Sequence, residues 1–279
     1  MDSGYIHRME FSRLDRGHFY ADAIVPVEIT VSNQRGGACR LWKKKQWYRL
    51  RSIIGVQQDG YSISECGISI YNKDEANPGL PLSEYLIPVL DEAGTEDEAD
   101  QMLMQYYPEA LMSQPVNGRL LAERMDLQIR CLPLVDGKSI FCDGTVEVQG
   151  KYGTELCRVS SGTIILNANC RYSQSRFNDI IIHECCHQYE HDLFVWGQSL
   201  YRADIVGIDC PVVREQFQLS GGRSPVFWAE RQARQMTYRA KMNKMVARTK
   251  AEEYLRFYRK RHPNGTVGKQ YEETITRLA

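Results

Sequence analysis

With 279 residues the chain is long enough to bury a sizeable core and to form one or two domains. Its hydrophobic content of 43% and charged content of 25% are ordinary for a folded globular protein, and a net charge of zero gives no global pull toward nucleic acid or a membrane surface. No apolar run approaches the ~18–20 residues that span a bilayer, and the start, Met1-Asp2-Ser3-Gly4-Tyr5, lacks the basic-then-apolar pattern of a secretory signal.

Residues 1–90 read as a β-rich N-terminal domain of unknown role. Ala23 to Val31 is apolar and β-branched, and Trp47 to Ile54 and Tyr61 to Tyr71 carry strand-type residues in partial alternation. Gln58-Asp59-Gly60 marks a tight turn. Lys43-Lys44-Lys45, between Trp42 and Trp47, is a basic-aromatic run that reads first as an exposed loop. Asn77-Pro78-Gly79-Leu80-Pro81 and then Pro88 to Gly94 form a boundary.

A second domain, 95–262, follows. Thr95-Glu96-Asp97-Glu98 has capping-box form and predicts a helix from Glu96 to Tyr107, before Pro108. Asn117 can cap a short helix, Gly118 to Met125, and 128–134 reads as a strand. Phe141 to Val146 reads as a hairpin turning at Asp143-Gly144, and Gly162 to Asn167 as a buried strand. Ser173 or Ser175 can then cap a helix running through His183, His187 and His191. Ser224-Pro225 supplies an N-cap and first-turn proline for a helix from Val226 to about Ala247, and a last helix covers Ala251 to Arg261. Residues 263–279 form a tail.

Charge is unevenly spread: ten acids and no Lys or Arg from Asp74 to Gly118, against eleven Lys or Arg and three Glu from Ala229 to His262. The favoured account is a solvated helix face, or two segments of one fold that attract each other; a basic face for an acidic partner or nucleic acid is less favoured. The nine cysteines are odd in number, contain no C-x-x-C, and several lie in apolar surroundings. That usage fits a reduced, cytoplasmic protein better than a disulfide framework.

The chemistry concentrates in His183-Glu184-Cys185-Cys186-His187, an H-E-x-x-H pattern, with His191 four residues on. On a helix, residues four apart share a face, so two imidazoles can grip one metal ion. Glu184, about 100° round, suits a general base acting on water. The pattern alone arises by chance in about 1% of chains this long, but here it follows a buried strand within a capped helix. A catalytic zinc takes three protein ligands, and His191, Glu190, Asp192, Asp204, Asp209 and Glu230 are the candidates for the third. His191 drifts about 80° from His183; Glu230, on a separate helix, closes a tetrahedron better. Tyr189, His191, Tyr201 and Tyr238 are candidates to support the site or its oxyanion. Cys185 and Cys186 point about 100° apart and read as packing residues rather than structural zinc ligands.

Residues 97–259 resemble the ImmA/IrrE family of zinc metallopeptidases, in particular the longer members found in gut Firmicutes. The resemblance rests on Tyr106-Tyr107-Pro108-Glu109-Ala110-Leu111, Leu121-Ala122-Glu123-Arg124-Met125-Asp126-Leu127, Ile181 to His191, and Trp228-Ala229-Glu230-Arg231-Gln232-Ala233. It implies an α+β fold: a zincin-like metallopeptidase domain, with a small sheet and an H-E-x-x-H active-site helix, beside the β-rich N-terminal segment and a helical C-terminus. It implies Zn2+ on His183, His187 and Glu230, with Glu184 as base, and cleavage of bacterial transcriptional repressors, such as helix-turn-helix proteins, in stress responses. The family's Ala-Asn and Leu-Met-Pro-like segments are replaced by Ala233-Arg234 and Met236-Thr237-Tyr238, and similar proteins continue with a helical segment beyond Ala279. The functional expectation is a cytoplasmic zinc endopeptidase acting on a protein substrate. The alternative is a non-catalytic regulator on the same scaffold, binding a repressor or sensing a signal through residues 1–90.

Overall fold

The structure, a computed structural model, describes residues 5–15, 17–35, 38–57, 60–75, 78–112, 115–135, 139–201, 224–242 and 244–262. For 31–35, 38–42, 139–145, 161, 198–201 and 244–246 it describes the backbone alone. The fold is mixed α+β and forms two compact units, Met1–Val89 with His191–Ile205, and Leu90–Glu190 with Val206–Ala279.

The first unit is a five-stranded antiparallel sheet. Its strands β1 (Arg8–Asp15), β2 (His18–Arg35), β3 (Ala38–Gln57), β4 (Gly60–Ile70) and β5 (Leu80–Leu82) lie in the order β4-β3-β2-β1-β5. The strand-like stretch expected at 61–71 is β4. The lysine run is not a loop: it lies within β3, where Lys43 pairs with Glu28 at 2.5 Å and Lys45 sits 5.0 Å from the Trp47 ring. The side chain of Trp42 and the turn at Gln58-Asp59 lie outside the described residues. Phe19, Leu82 and Leu193 form the core of this unit, with Phe11, Ile54 and Trp196 packed against it. Leu193 and Trp196 belong to helix α5 (Asp192–Tyr201). The first unit's N-terminal segment ends at Val89, beside the expected division at 90, but the unit also takes in His191–Ile205, because the apolar face of this helix buries on that sheet.

In the second unit, β6 (Gln128–Leu132), β7 (Ser139–Gly150) and β8 (Gly153–Asn167) form a mixed sheet in the order β6-β8-β7. β6 runs parallel to β8, and β7 antiparallel to it. Asp143-Gly144 does not turn the chain. Between the pairs Cys142–Thr163 and Gly144–Val159, Asp143 of β7 faces 160–162 of β8, so the ladder passes the dipeptide with a bulge on β8, and the hairpin closes at Lys151-Tyr152, where Gly150 faces Gly153. Ile164, Ile165 and Leu166 of β8 are fully buried, as a central strand requires.

The helices of this unit are α1 (Glu92–Tyr106), α2 (Pro108–Met112), α3 (Gly118–Arg124), α4 (Gln174–Glu190), α6 (Pro225–Lys241) and α7 (Lys244–Arg261). α1 starts four residues before the expected Glu96. Asp91 is the N-cap, its Oδ1 accepting from Gly94 N at 2.7 Å, and Thr95 is buried in the first turn with its hydroxyl donating to the Asp91 carbonyl at 2.8 Å. The two helices expected at 226–247 and 251–261 are present, but the break between them comes earlier, after Lys241. Asn117 caps α3 as expected, accepting from Arg119 N and Leu120 N. No helix among the described residues is long and apolar enough to cross a membrane.

Candidate metal centre

Helix α4 begins where Ser173 Oγ accepts from Arg176 N at 3.2 Å, directly after the loop that leaves β8. Its second half is buried on most sides, with Ile180, Ile181, Ile182, Cys185, Cys186 and Tyr189 among the buried residues. α1, α3 and α6 pack around it. This burial fixes the rotation of α4 and leaves His183 with partial access to water, its side chain 20% exposed.

Helix α6 crosses α4 and presents Glu230. Ser224 Oγ accepts from Phe227 N at 3.2 Å, and Pro225 opens the helix, so Glu230 sits in its second turn. Ala229, Ala233, Met236 and Ala240 are buried, and the small alanines let the two helices approach. One turn beyond Ala233, the Thr237 hydroxyl donates to the Ala233 carbonyl at 2.7 Å and meets Cys186 Sγ at 3.8 Å. Ion pairs hold the far end of α6: Arg239 with Glu92 at 3.0 Å and with Glu96 at 3.6 Å, and Lys241 with Asp179 at 2.7 Å. The acidic and basic stretches of the sequence thus meet at Arg239.

Three groups converge. His183 Nε2 and His187 Nε2 are 3.2 Å apart; Glu230 Oε2 is 3.3 Å from the first and Oε1 3.2 Å from the second. Bonds of about 2.05 Å at the tetrahedral angle put neighbouring zinc ligands about 3.3 Å apart. The observed contacts have that length, with a different Glu230 oxygen facing each imidazole; taking one atom per residue, the three groups lie within 4.8 Å of one another. Two imidazoles and one carboxylate are also a donor set that zinc uses in catalytic sites. Among the described residues this is the group of three whose ligand atoms could hold one metal ion.

The electrostatics are those of a tight cationic-anionic cluster. Burial works against charge on both partners, but the two histidines hold the Glu230 carboxyl well below the usual carboxylate range. Burial likewise disfavours the charged form of His183, yet the carboxylates of Glu230 and Glu184 raise its basicity overall, against an opposing push from Arg234. Glu184, the adjacent residue on α4, is itself 5% exposed.

The other expected residues do not join the triangle. His191 is fully buried but lies one residue past the end of α4, so extrapolating that helix from His183 fails, and it belongs to the first unit. Glu190 is buried at the last position of α4. Asp192 opens α5, its Oδ1 accepting from Leu193 N at 2.8 Å. Tyr189 is buried edge-on against the Tyr106 ring, centroids 6.4 Å apart. Tyr238 is 63% exposed, two turns beyond Glu230 and about 12 Å along the helix axis. Asp204, Asp209 and the side chain of Tyr201 lie outside the described residues. Cys185 and Cys186 are fully buried, and burial pushes the Cys186 thiol up to about 12 and that of Cys185 well above its usual value. Held as neutral thiols, they fill the helix interface.

Sequence reading overlooked Arg234. It stands four residues after Glu230, hence on the same face of α6, and its charge bears on His183. The signal was available in that spacing. Compared with models of known protein families, with curated proteins and with solved structures, the chain matches none, so the site's own geometry must carry its functional reading.

Proposed function

We propose that the chain is a zinc-dependent endopeptidase. The convergence of His183 Nε2 and His187 Nε2, 3.2 Å apart and each 3.2–3.3 Å from one oxygen of the Glu230 carboxylate, carries this reading. The small mixed sheet ahead of an H-E-x-x-H helix supports a zincin-like domain, and the resemblance of residues 97–259 to the ImmA/IrrE family supports a regulatory protein, such as a helix-turn-helix repressor, as substrate. Zinc, when bound, lowers the pKa of water toward ~7 and polarises the scissile carbonyl. Glu184 takes the proton of the attacking water and delivers it to the leaving amine. Arg234, on the ligand-bearing face of α6, offers positive charge to the developing oxyanion.

The test is a Glu184→Gln variant, assayed with wild type on a proteome-derived peptide library read by mass spectrometry. Both proteins should hold one zinc per chain, and the variant should lose a factor of roughly 10²–10⁴ in cleavage rate. Equal rates for the two would sink the mechanism. Zinc-loaded wild type that cleaves nothing would point to the non-catalytic regulator instead.

A further inference from the structure

The two outer strands of the N-terminal sheet differ sharply. β5 is three residues long and contains Pro81, which blunts that edge against pairing. β4 is eleven residues long, has no proline, lysine or arginine, and carries one charge, Glu65. As an outer strand it has a backbone edge with no strand partner among the described residues.

The side chains of β4 add a pattern. The register with β3 shifts between Ile53 and Ile54, which drops Ser64 out of the alternation. The residues opposite Val56, Ile54, Ser52, Leu50 and Tyr48 are then Tyr61, Ile63, Cys66, Ile68 and Ile70, so these five share one face. Four of them are large and open to solvent: Tyr61 at 59%, Ile63 at 55%, Ile68 at 74% and Ile70 at 63%; Cys66 is exposed as well. The stripe is symmetric about Cys66, with two apolar positions on either side.

We infer that β4 is a self-association edge, pairing antiparallel with β4 of a second copy about a two-fold axis at Cys66. That axis sets Ile68 beside the partner's Ile63 and Ile70 beside the partner's Tyr61. Glu65 then faces the partner's Gly67, so like charges do not oppose one another. The same symmetry that makes the stripe self-complementary singles out a second copy as occupant. The four side chains carry roughly 500 Å² of open surface, and the paired backbone edge adds to it, against the ~800 Å² that one partner gives to a stable interface.

The full-length chain, with thiols reduced, tests this by light scattering after gel filtration at micromolar concentration. The wild type should show twice the chain mass of 32.2 kDa. Ile68→Lys, at a site already open to water, should weaken association by roughly tenfold or more, and Ile70→Lys should do the same if the first variant folds poorly. Opposed Cys66 residues would have Cα atoms about 4.5–5.5 Å apart, inside the disulfide range. Diamide, which takes up the two thiol hydrogens, should therefore crosslink the wild type but not Cys66→Ser. The inference is overturned by a single-chain mass for the wild type, by a dimer that survives both lysine variants, or by a crosslink that persists without Cys66.

Discussion

Gly118→Ala probes how tightly α3 seats the metal helix. A Cβ added at Gly118 would lie 2.9 Å from the Asn178 carbonyl oxygen, 3.1 Å from Ile181 Cβ and 3.2 Å from its Cγ2. None of these can swing away: one is backbone of α4, the others the branched stem of a fully buried side chain. The Gly118 N–H also donates to Asn178 Oδ1 at 2.6 Å, whose amide in turn donates to the Val116 carbonyl at 3.0 Å, so a shift of α3 strains both bonds. Overpacking of this kind costs about 1–3 kcal/mol. Alanine returns about 0.5–1 kcal/mol by restricting the unfolded chain and favouring helix. The balance is a loss of about 0–2.5 kcal/mol, centred near 1 kcal/mol, which is ~2–4 °C in melting temperature for a unit of this size. Thermal unfolding of chelator-treated protein, followed by circular dichroism, reads it. Raised stability would refute the close packing of α3 on α4.

Two further outcomes follow from the same packing. Ser224→Ala removes the N-cap that sets the first turn of α6; stability should fall by about 1 kcal/mol, and zinc affinity with it, because Glu230 hangs from that helix end, whereas unchanged affinity would show that the cap does not position the ligand. Native protein treated with iodoacetamide near neutral pH should be labelled at Cys66 and Cys131, which are exposed, and not at Cys185 or Cys186. Peptide mapping checks this, and rapid labelling of the buried pair would mean that α4 opens readily.

The juxtaposition of His183 and His187 was legible from sequence because it depends on a local period: the two are four apart, and a serine before them caps the helix. Glu230 was legible less directly, since its approach depends on Ser224-Pro225 starting α6 and on alanines allowing that helix close. What local pattern misjudged was decided by tertiary context. Asp143-Gly144 looks like a turn, yet the ladder between β7 and β8 passes it with a bulge on β8. Thr95-Glu96-Asp97-Glu98 looks like a helix start, yet Asp91 caps earlier and Thr95 is buried. His191 looked like part of the metal helix, yet that helix ends at Glu190, and the following segment takes its apolar residues to the N-terminal sheet. None of these is visible without knowing which surfaces become buried.

The most direct test of the metal centre is zinc content combined with X-ray absorption at the zinc edge, on wild type and on Glu230→Ala. Wild type should bind one zinc with two imidazole nitrogens and carboxylate oxygen at about 2.0–2.2 Å, and the variant should lose the carboxylate and bind zinc at least roughly tenfold more weakly. A sulfur shell at about 2.3 Å, or zinc binding unaffected by loss of Glu230, would contradict the three-ligand site.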